Sequence, residues 1–293
     1  MSHPFAGKRP AFSCTALALV IVAVAALTAG PAVAASPLSY VALGDSYTAG
    51  PLVLPQDPNT PGCFRSALNY PRLLNARYQF SGFTDVSCSG ARTNDMFAPQ
   101  EVGGGANPPQ LDALQPSTQL VTVQIGGNDI GFSEIATRCV TLLPLGSPCR
   151  TLYAPGGVDE ISRRIDETRP KVDAVIAAIK QRSPEARIYL IGYPALFPET
   201  GVACWPVMPY APEDVPYLIA KEKELNSMLA ERAGAGGVTF VDTYTPSIGH
   251  DACALPTIRW VEPVILPIMG FLIHPNVFGM VGMEGATAAA IGP

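Results

Sequence analysis

Residues 40–46 read YVALGDS, an apolar run that ends in a glycine, an aspartate and a serine. Four further apolar runs of similar length follow along the chain, at 84–87, 120–125, 187–191 and 238–241. Long connections separate these runs, and short apolar strands joined by long connections favour a parallel sheet covered by helices. The sequence therefore predicts an α/β fold with five parallel strands.

Three of the connections carry apolar residues at helical spacing and are predicted to be helices, near 66–78, 158–181 and 212–233. Another helix is expected after Pro275. Pro170 lies inside the second helical segment, and because proline lacks a backbone N–H it is expected to kink or divide that helix. No internal repeat or linker divides the chain, so a single domain is predicted.

Small and polar residues follow three of the predicted strands where each strand ends. The first strand runs into 44–46 (GDS), the second into 88–91 (CSGA) and the third into 126–129 (GGND). In open α/β sheets the ligand site lies beyond the carboxyl ends of the strands. These three segments are therefore expected to lie together.

Ser46 and His274 are the candidate pair for chemistry. A serine hydroxyl becomes a useful nucleophile only when a base takes its proton, and His250 and His274 are the only histidines after residue 34. The small polar residues also have structural interpretations. Ser46 could cap a helix, and Gly90 and Asn128 could form tight turns.

The first 34 residues have the pattern of a secretory signal. Lys8 and Arg9 precede an apolar run at 15–29, and 32–34 (AVA) offers small residues for cleavage. A retained membrane anchor is the alternative, although the run is short for a bilayer span. We therefore predict a signal peptide at 1–34, a mature domain at 35–293 and a secreted protein.

The charge of the mature chain argues against nucleic acid as a partner. Lys8 and Arg9 are two of 19 basic residues, so cleavage after residue 34 would leave 17 basic and 24 acidic residues, a net charge of −7. A chain that binds a phosphate backbone usually presents a basic face. Small, uncharged or cationic molecules remain possible substrates.

Six cysteines remain after residue 34, since Cys14 precedes the cleavage site. An even number of cysteines in an exported chain predicts disulfides, and six cysteines allow fifteen pairings. A metal site is disfavoured, because the sequence has no Cys-x-x-Cys and only two histidines follow residue 34. No metal or other cofactor is predicted.

The strand ends and His274 together resemble the consensus blocks of the SGNH, or GDSL-type, hydrolase family. Residues 44–47 (GDSY) are similar to its first block, Gly90 to the glycine of its second, 127–129 (GND) to its third and His274 to the histidine of its fifth. The resemblance implies a three-layer α/β/α sandwich of flavodoxin-like type. The cysteines and the signal resemble the secreted actinobacterial esterase and lipase branch, which implies the disulfides Cys63–Cys88, Cys139–Cys149 and Cys204–Cys253.

The resemblance also implies residue roles. Ser46 would attack the ester carbonyl, and its N–H would form an oxyanion hole with the N–H of Gly90 and the side-chain amide of Asn128. His274 would be the base. The family usually carries an aspartate three residues before this histidine, but Phe271 stands there, and its backbone carbonyl is expected to orient His274 through Nδ1–H.

Alternatives to these roles remain open. Asp251 and Glu262 could replace the missing aspartate, and His250 could replace His274 as the base. The apolar segment 255–273 is either a buried loop or part of an acyl-chain pocket or of a lipid-contacting surface. Its prolines and charged residues argue against a membrane helix.

These observations predict a secreted, monomeric serine esterase or lipase. It would hydrolyse carboxylic ester bonds of lipid-like acyl esters through an acyl-Ser46 intermediate and contact lipid surfaces transiently. The alternatives are an O-deacetylase for carbohydrates or small molecules at the same site, and a binding module without activity. A lipase of the α/β-hydrolase type is disfavoured, because the sequence contains no Gly-x-Ser-x-Gly.

Overall fold

A parallel sheet forms the centre of the fold. The computed structural model describes residue 1, 38–59 and 61–293. The strands are β1 (Ser39–Gly44), β2 (Gly82–Asp85), β3 (Gln100–Val102), β4 (Gly105–Asn107), β5 (Leu120–Gln124), β6 (Arg187–Ile191) and β7 (Thr239–Val241). Five of them pair in parallel in the order β2-β1-β5-β6-β7, as the spacing of the apolar runs predicts.

Helices lie between the strands and after the last strand. They are α1 (Ser46–Ala49), α2 (Tyr70–Tyr78), α3 (Phe132–Arg138), α4 (Pro148–Tyr153), α5 (Glu160–Arg182), α6 (Val215–Gly236), α7 (Tyr244–Ser247) and α8 (Val277–Ile291). Short 3₁₀ turns supplement them, for example at Thr93–Met96. The long predicted helices correspond to α2, α5, α6 and α8.

The sheet is buried on both faces. Successive side chains of a strand point to opposite faces, so Val41 and Leu43 of β1 enter one core and Tyr40 and Ala42 the other. The first core packs against α5 and α6, and the second against α2 and α8. The result is the expected three-layer α/β/α sandwich.

Strand register brings the candidate segments to one edge of the sheet. In β1, Gly44 lies opposite Gln124 of β5. Beyond this pair, the backbone N–H of Asp45 donates to the Gln124 carbonyl at 3.0 Å, and that of Cys88 donates to the Gly44 carbonyl at 3.0 Å. The loops after β2, β1 and β5 therefore lie side by side.

Two helix predictions need correction. The helix predicted from residue 66 begins at Tyr70, because Ser66 pairs with Gln56 in an isolated bridge and Asn69 caps the helix by accepting from Arg72 N at 3.2 Å. Pro170 lies inside α5 without dividing it. The apolar face of α5 stays buried on both sides of this proline, and its packing outweighs the one missing backbone hydrogen bond.

Two strand details were also not predicted. β2 begins at Gly82 and ends at Asp85, two residues before the run expected at 84–87. The antiparallel pair β3–β4 was missed, because its strands are only three residues long, and an alternating pattern needs more residues to be seen.

The six cysteines pair as neighbours along the chain: Cys63–Cys88, Cys139–Cys149 and Cys204–Cys253. The predicted signal peptide at 1–34 lies outside the described residues, apart from residue 1. Within the described part of the chain, no helix has both the length and the apolar character needed to span a membrane.

Candidate active site

Ser46 lies two residues beyond the end of β1 and is the first residue of α1. The side chain of Asp45 caps this short helix, because its Oδ1 accepts a hydrogen bond from Tyr47 N at 2.9 Å. The helix cap is therefore Asp45 rather than Ser46. The serine hydroxyl is left free to hydrogen-bond elsewhere.

His274 is the partner of that hydroxyl. Its Nε2 lies 2.8 Å from Ser46 Oγ, and its Nδ1 lies 2.8 Å from the backbone carbonyl oxygen of Leu272. A carbonyl only accepts hydrogen bonds, so Nδ1 carries the proton. Nε2 is then the lone-pair nitrogen, which accepts from Ser46 Oγ–H.

The prediction that the Phe271 carbonyl orients His274 is wrong. The Phe271 carbonyl accepts from the backbone N–H of His274 at 3.2 Å, and Leu272 supplies the carbonyl that meets the ring. The reason is the backbone at Ile273, whose φ of 53° is in the left-handed region. This turn aims the Leu272 carbonyl at Nδ1. Phe271 instead packs its ring edge-on against the imidazole, with centroids 5.4 Å apart.

Glu262 anchors the loop that carries His274. Its backbone N–H donates to the His274 carbonyl at 2.9 Å, and its carbonyl accepts from Ile273 N at 2.9 Å. Its buried carboxylate pairs with Arg259 at 2.7 Å and accepts from Asn276 Nδ2 at 2.7 Å. Asn276 also caps α8. Glu262 is thus a structural residue of this loop and not a substitute for the missing aspartate.

The other alternative residues also have different partners. Asp251 Oδ1 accepts from the backbone N–H of Cys253 at 2.9 Å. His250 donates from Nδ1 to the carbonyl of Ile258 at 2.6 Å, and its ring stacks on Trp260 at 5.3 Å. The structure therefore pairs Ser46 with His274 and brings neither Asp251 nor His250 into that pair.

Burial lowers the pKa of His274 from 6.5 to about 4, and the hydrogen bond to the Leu272 carbonyl opposes only part of that effect. The imidazole is therefore neutral at neutral pH and can accept a proton. A carbonyl fixes the tautomer but stabilises the resulting imidazolium less than a carboxylate would.

Gly90 and Asn128 lie on the loops that flank Ser46. Gly90 has a φ of 81°, which favours glycine. Asn128 Nδ2 donates one hydrogen to the Ala91 carbonyl at 2.9 Å and keeps a second for another acceptor. Thr93 ties the two loops together, since its backbone N–H and hydroxyl donate to Asp129 at 2.9 and 2.5 Å.

Tyr193 connects the Ser46 loop with the Asn128 loop. Its hydroxyl donates to Asp45 Oδ2 at 2.5 Å and accepts from Gly127 N at 2.9 Å. Asn226 holds the Tyr193 backbone through hydrogen bonds of 2.8 and 3.0 Å to its N–H and its carbonyl. Tyr193 was not predicted as a site residue, and its position just beyond the end of β6 is the one local feature that points to such a role.

An apolar pocket opens beside Ser46 and Asn128. The space beside them measures about 750 Å³ when the adjoining open solvent is included. Its walls come from α3, α5, α6 and the loops after β5 and β6, with prominent apolar side chains at Ile130, Ile135, Ile161, Phe197, Leu218 and Leu225. A mostly apolar pocket next to a serine hydroxyl can hold an acyl chain.

The apolar segment 255–273 does not line this pocket, contrary to one of the roles suggested for it. Helices α3, α5 and α6 supply the wall instead. Nor is the segment a buried loop throughout, because the side chains of Leu255, Leu266 and Ile268 are 68%, 74% and 63% exposed. The remaining role, contact with a lipid surface, is still a prediction.

Comparisons with known proteins agree with this geometry. The model of the GDSL-like lipase/acylhydrolase family matches residues 42–280. Lipase 2 of Streptomyces coelicolor is 40% identical over 270 residues, which cover 90% of this chain and 89% of that protein.

Two solved structures share both sequence and fold with the chain. The extracellular lipase of Streptomyces rimosus is 30% identical, with a TM-score of 0.73 and coverage of 86% of this chain and 99% of the other. Phospholipase A1 of Streptomyces albidoflavus NA297 is 26% identical, also with a TM-score of 0.73, covering 86% of this chain and 98% of the other.

Proposed function

The chain belongs to the GDSL-like lipase/acylhydrolase family, and we propose that it is a secreted lipase for esters with extended acyl chains. It is a serine ester hydrolase, as its family and its relatives indicate. The proposal rests on one observation above all. Ser46, whose Oγ lies 2.8 Å from His274 Nε2, lines an apolar pocket.

Acylation begins when His274 Nε2 takes the proton of Ser46 Oγ, which attacks the ester carbonyl. The carbonyl π electrons move to oxygen, and the backbone N–H groups of Ser46 and Gly90 and the free N–H of Asn128 Nδ2 bind this oxyanion. Each such donor lowers the barrier by roughly 3 kcal/mol. When the carbonyl re-forms, the alcohol leaves with the proton from His274.

Deacylation repeats these steps with water. His274 takes a proton from water, the hydroxide attacks the acyl-Ser46 carbonyl, and the proton returns to Ser46 Oγ as the acid leaves. The Leu272 carbonyl accepts from Nδ1–H throughout and keeps the ring in one orientation. The buried pair thus works without a carboxylate.

The apolar walls of the pocket support a lipid-like acyl chain over an acetyl group. An acetyl group would contact few of the apolar side chains that line the pocket. Burial of each additional methylene contributes about 0.8 kcal/mol, so longer chains gain binding energy in such a pocket. This consideration disfavours the O-deacetylase alternative.

Two uncharged, exposed segments, 140–146 and 265–271, are attached to the stretch that carries Tyr210 of the pocket wall, and they support contact with a lipid surface. Leu142, Leu143 and Leu145 are 88%, 66% and 75% exposed, and 265–271 contains four exposed apolar side chains. Both segments are attached to the same stretch, 207–210: Thr141 N donates to the Pro209 carbonyl and Ile265 N to the Val207 carbonyl. Exposed apolar groups beside a pocket mark interaction sites.

Secretion is supported by the sequence pattern at 1–34 and by three disulfides, which persist in oxidising compartments. We propose that the mature enzyme begins at Ala35 and acts as a monomer.

A panel of p-nitrophenyl esters from acetate to palmitate tests the proposal. We expect kcat/KM to rise from acetate to medium chain lengths, and an organophosphonate to label Ser46 but no other serine in mass spectrometry. A preference for acetate would contradict the acyl-chain proposal. Labelling of another serine would contradict the assignment of the nucleophile.

A further inference from the structure

The part of the pocket wall that α6 supplies contains an acidic side chain between leucines. Leu218, Glu222 and Leu225 lie four and three residues apart on one face of α6, and all three line the pocket. The middle position of such a face would ordinarily hold an apolar residue. The carboxyl group of Glu222 is therefore unusual at this position.

Glu222 uses only half of its hydrogen-bonding capacity. Its Oε1 accepts from the backbone N–H of Leu196 at 3.0 Å. Its Oε2 is buried and has no hydrogen-bond partner among the described residues, although the residue as a whole is half-buried. An unpaired buried polar atom is costly, and structures usually avoid it.

The lysines next to Glu222 in the sequence bind other carboxylates. Lys221 Nζ lies 2.8 Å from Asp159 and Lys223 Nζ lies 2.6 Å from Glu199. Burial raises the pKa of Glu222 to about 8, and the hydrogen bond from Leu196 N–H and the charge of Lys223 offset only part of that rise. The group is therefore protonated at neutral pH. Because Leu196 N–H occupies Oε1, the proton belongs on Oε2, which becomes a hydrogen-bond donor.

We propose that Glu222 forms a polar subsite in the acyl pocket, which takes acyl chains bearing a hydrogen-bond acceptor such as a hydroxyl oxygen. The subsite rests on the proposed acyl-ester function. Oε2–H donates to the oxygen on the chain, while Leu218 and Leu225 contact the methylenes on either side. Plain chains bind in the same pocket but leave Oε2 unpaired, and sites built around a hydrogen bond discriminate against such analogues.

The test compares p-nitrophenyl octanoate with its isomers hydroxylated at successive carbons. For wild type, at least one isomer should exceed octanoate in kcat/KM, by roughly 2- to 12-fold for one net hydrogen bond. Glu222→Leu should reverse the preference, because the hydroxyl then enters an apolar wall. Glu222→Gln keeps a donor and an acceptor at this position and should retain the preference.

Glu231→Gln is the matched control, since Glu231 lies on α6 away from the pocket and pairs with Arg169 at the surface. It should behave as wild type. If wild type favours no hydroxylated isomer, or if Glu222→Leu keeps the preference, the subsite is refuted. The wild-type series decides the question even if Glu222→Leu fails to fold. Octanoate hydrolysis itself reports on the proposed function separately, because that ester carries no hydroxyl.

Discussion

Replacement of Tyr193 by phenylalanine should slow the chemical step far more than it weakens substrate binding. The hydroxyl of Tyr193 bridges Asp45, next to the nucleophile, and Gly127, next to Asn128. Phenylalanine keeps the ring and its edge-on contact with Tyr47, at 5.1 Å between centroids. Only the bridge between the two loops is removed.

The size of the expected decrease in kcat follows from the role of the Tyr193 hydroxyl, which holds the Asn128 loop in place beside Ser46. Complete removal of an oxyanion donor costs about 10²- to 10³-fold in kcat. Tyr193→Phe loosens the Asn128 loop without removing its amide, so we expect a decrease in kcat of roughly 10- to 100-fold, with KM changed by less than about twofold. The buried Gly127 N–H also loses its acceptor, which costs about 1–3 kcal/mol of unfolding free energy.

The loss of stability should depend on pH. Burial raises the pKa of Asp45 to about 7, and the hydrogen bond from Tyr193 opposes this rise. A raised carboxyl pKa means that stability falls as pH increases from the unfolded pKa, near 4, to the folded one. Without the Tyr193 hydroxyl the folded pKa rises further, so the destabilisation of Tyr193→Phe should be larger at pH 8.5 than at pH 6.

Steady-state kinetics on a soluble ester and urea unfolding at both pH values measure these effects. Tyr210→Phe is the control, because Tyr210 lines the same pocket but its hydroxyl donates to the Ala136 carbonyl at 3.1 Å. It should lose stability and keep its kcat. The reasoning fails if Tyr193→Phe keeps kcat within about twofold of wild type, or if both variants lose kcat equally.

Three further outcomes are expected. His274→Ala should abolish ester hydrolysis while His250→Ala keeps most of it, and the reverse result would reassign the base. Because the pKa of His274 is lowered to about 4, kcat/KM should rise with pH through that value and level off by about pH 6. A midpoint near 6.5 would contradict a buried imidazole without a carboxylate partner. The double variant Cys204→Ser/Cys253→Ser opens a loop with a sequence separation of 49 and should lose about 2–4 kcal/mol of unfolding free energy in urea, whereas unchanged unfolding would show that the disulfide contributes nothing.

The sequence alone was sufficient to predict the parallel sheet and the pair Ser46 and His274. Strand patterns are local, and the polar residues after each strand are local as well, so a parallel sheet necessarily gathers them at one edge. The order of the motifs then identified the family, which the match at 42–280 confirms. The choice between His274 and His250 came from that resemblance.

Only the tertiary structure decided which groups surround the pair. The Leu272 carbonyl replaces that of Phe271 because of the left-handed turn at Ile273, a turn that its loop imposes and that β-branched residues rarely adopt. Tyr193 meets Asp45 across 148 positions of the chain. No local pattern encodes such a contact.

The pocket wall is the clearest example of a feature that the tertiary structure decides and the sequence alone does not. The sequence offered the apolar segment 255–273 beside His274 as a candidate wall, yet α3, α5 and α6 form the wall and the segment faces outward in part. Apolar character along a chain shows which residues avoid water, but not which of them pack together. Strand order and helix packing make that choice, because they set which distant surfaces meet, and here they also place Glu222 within the pocket wall.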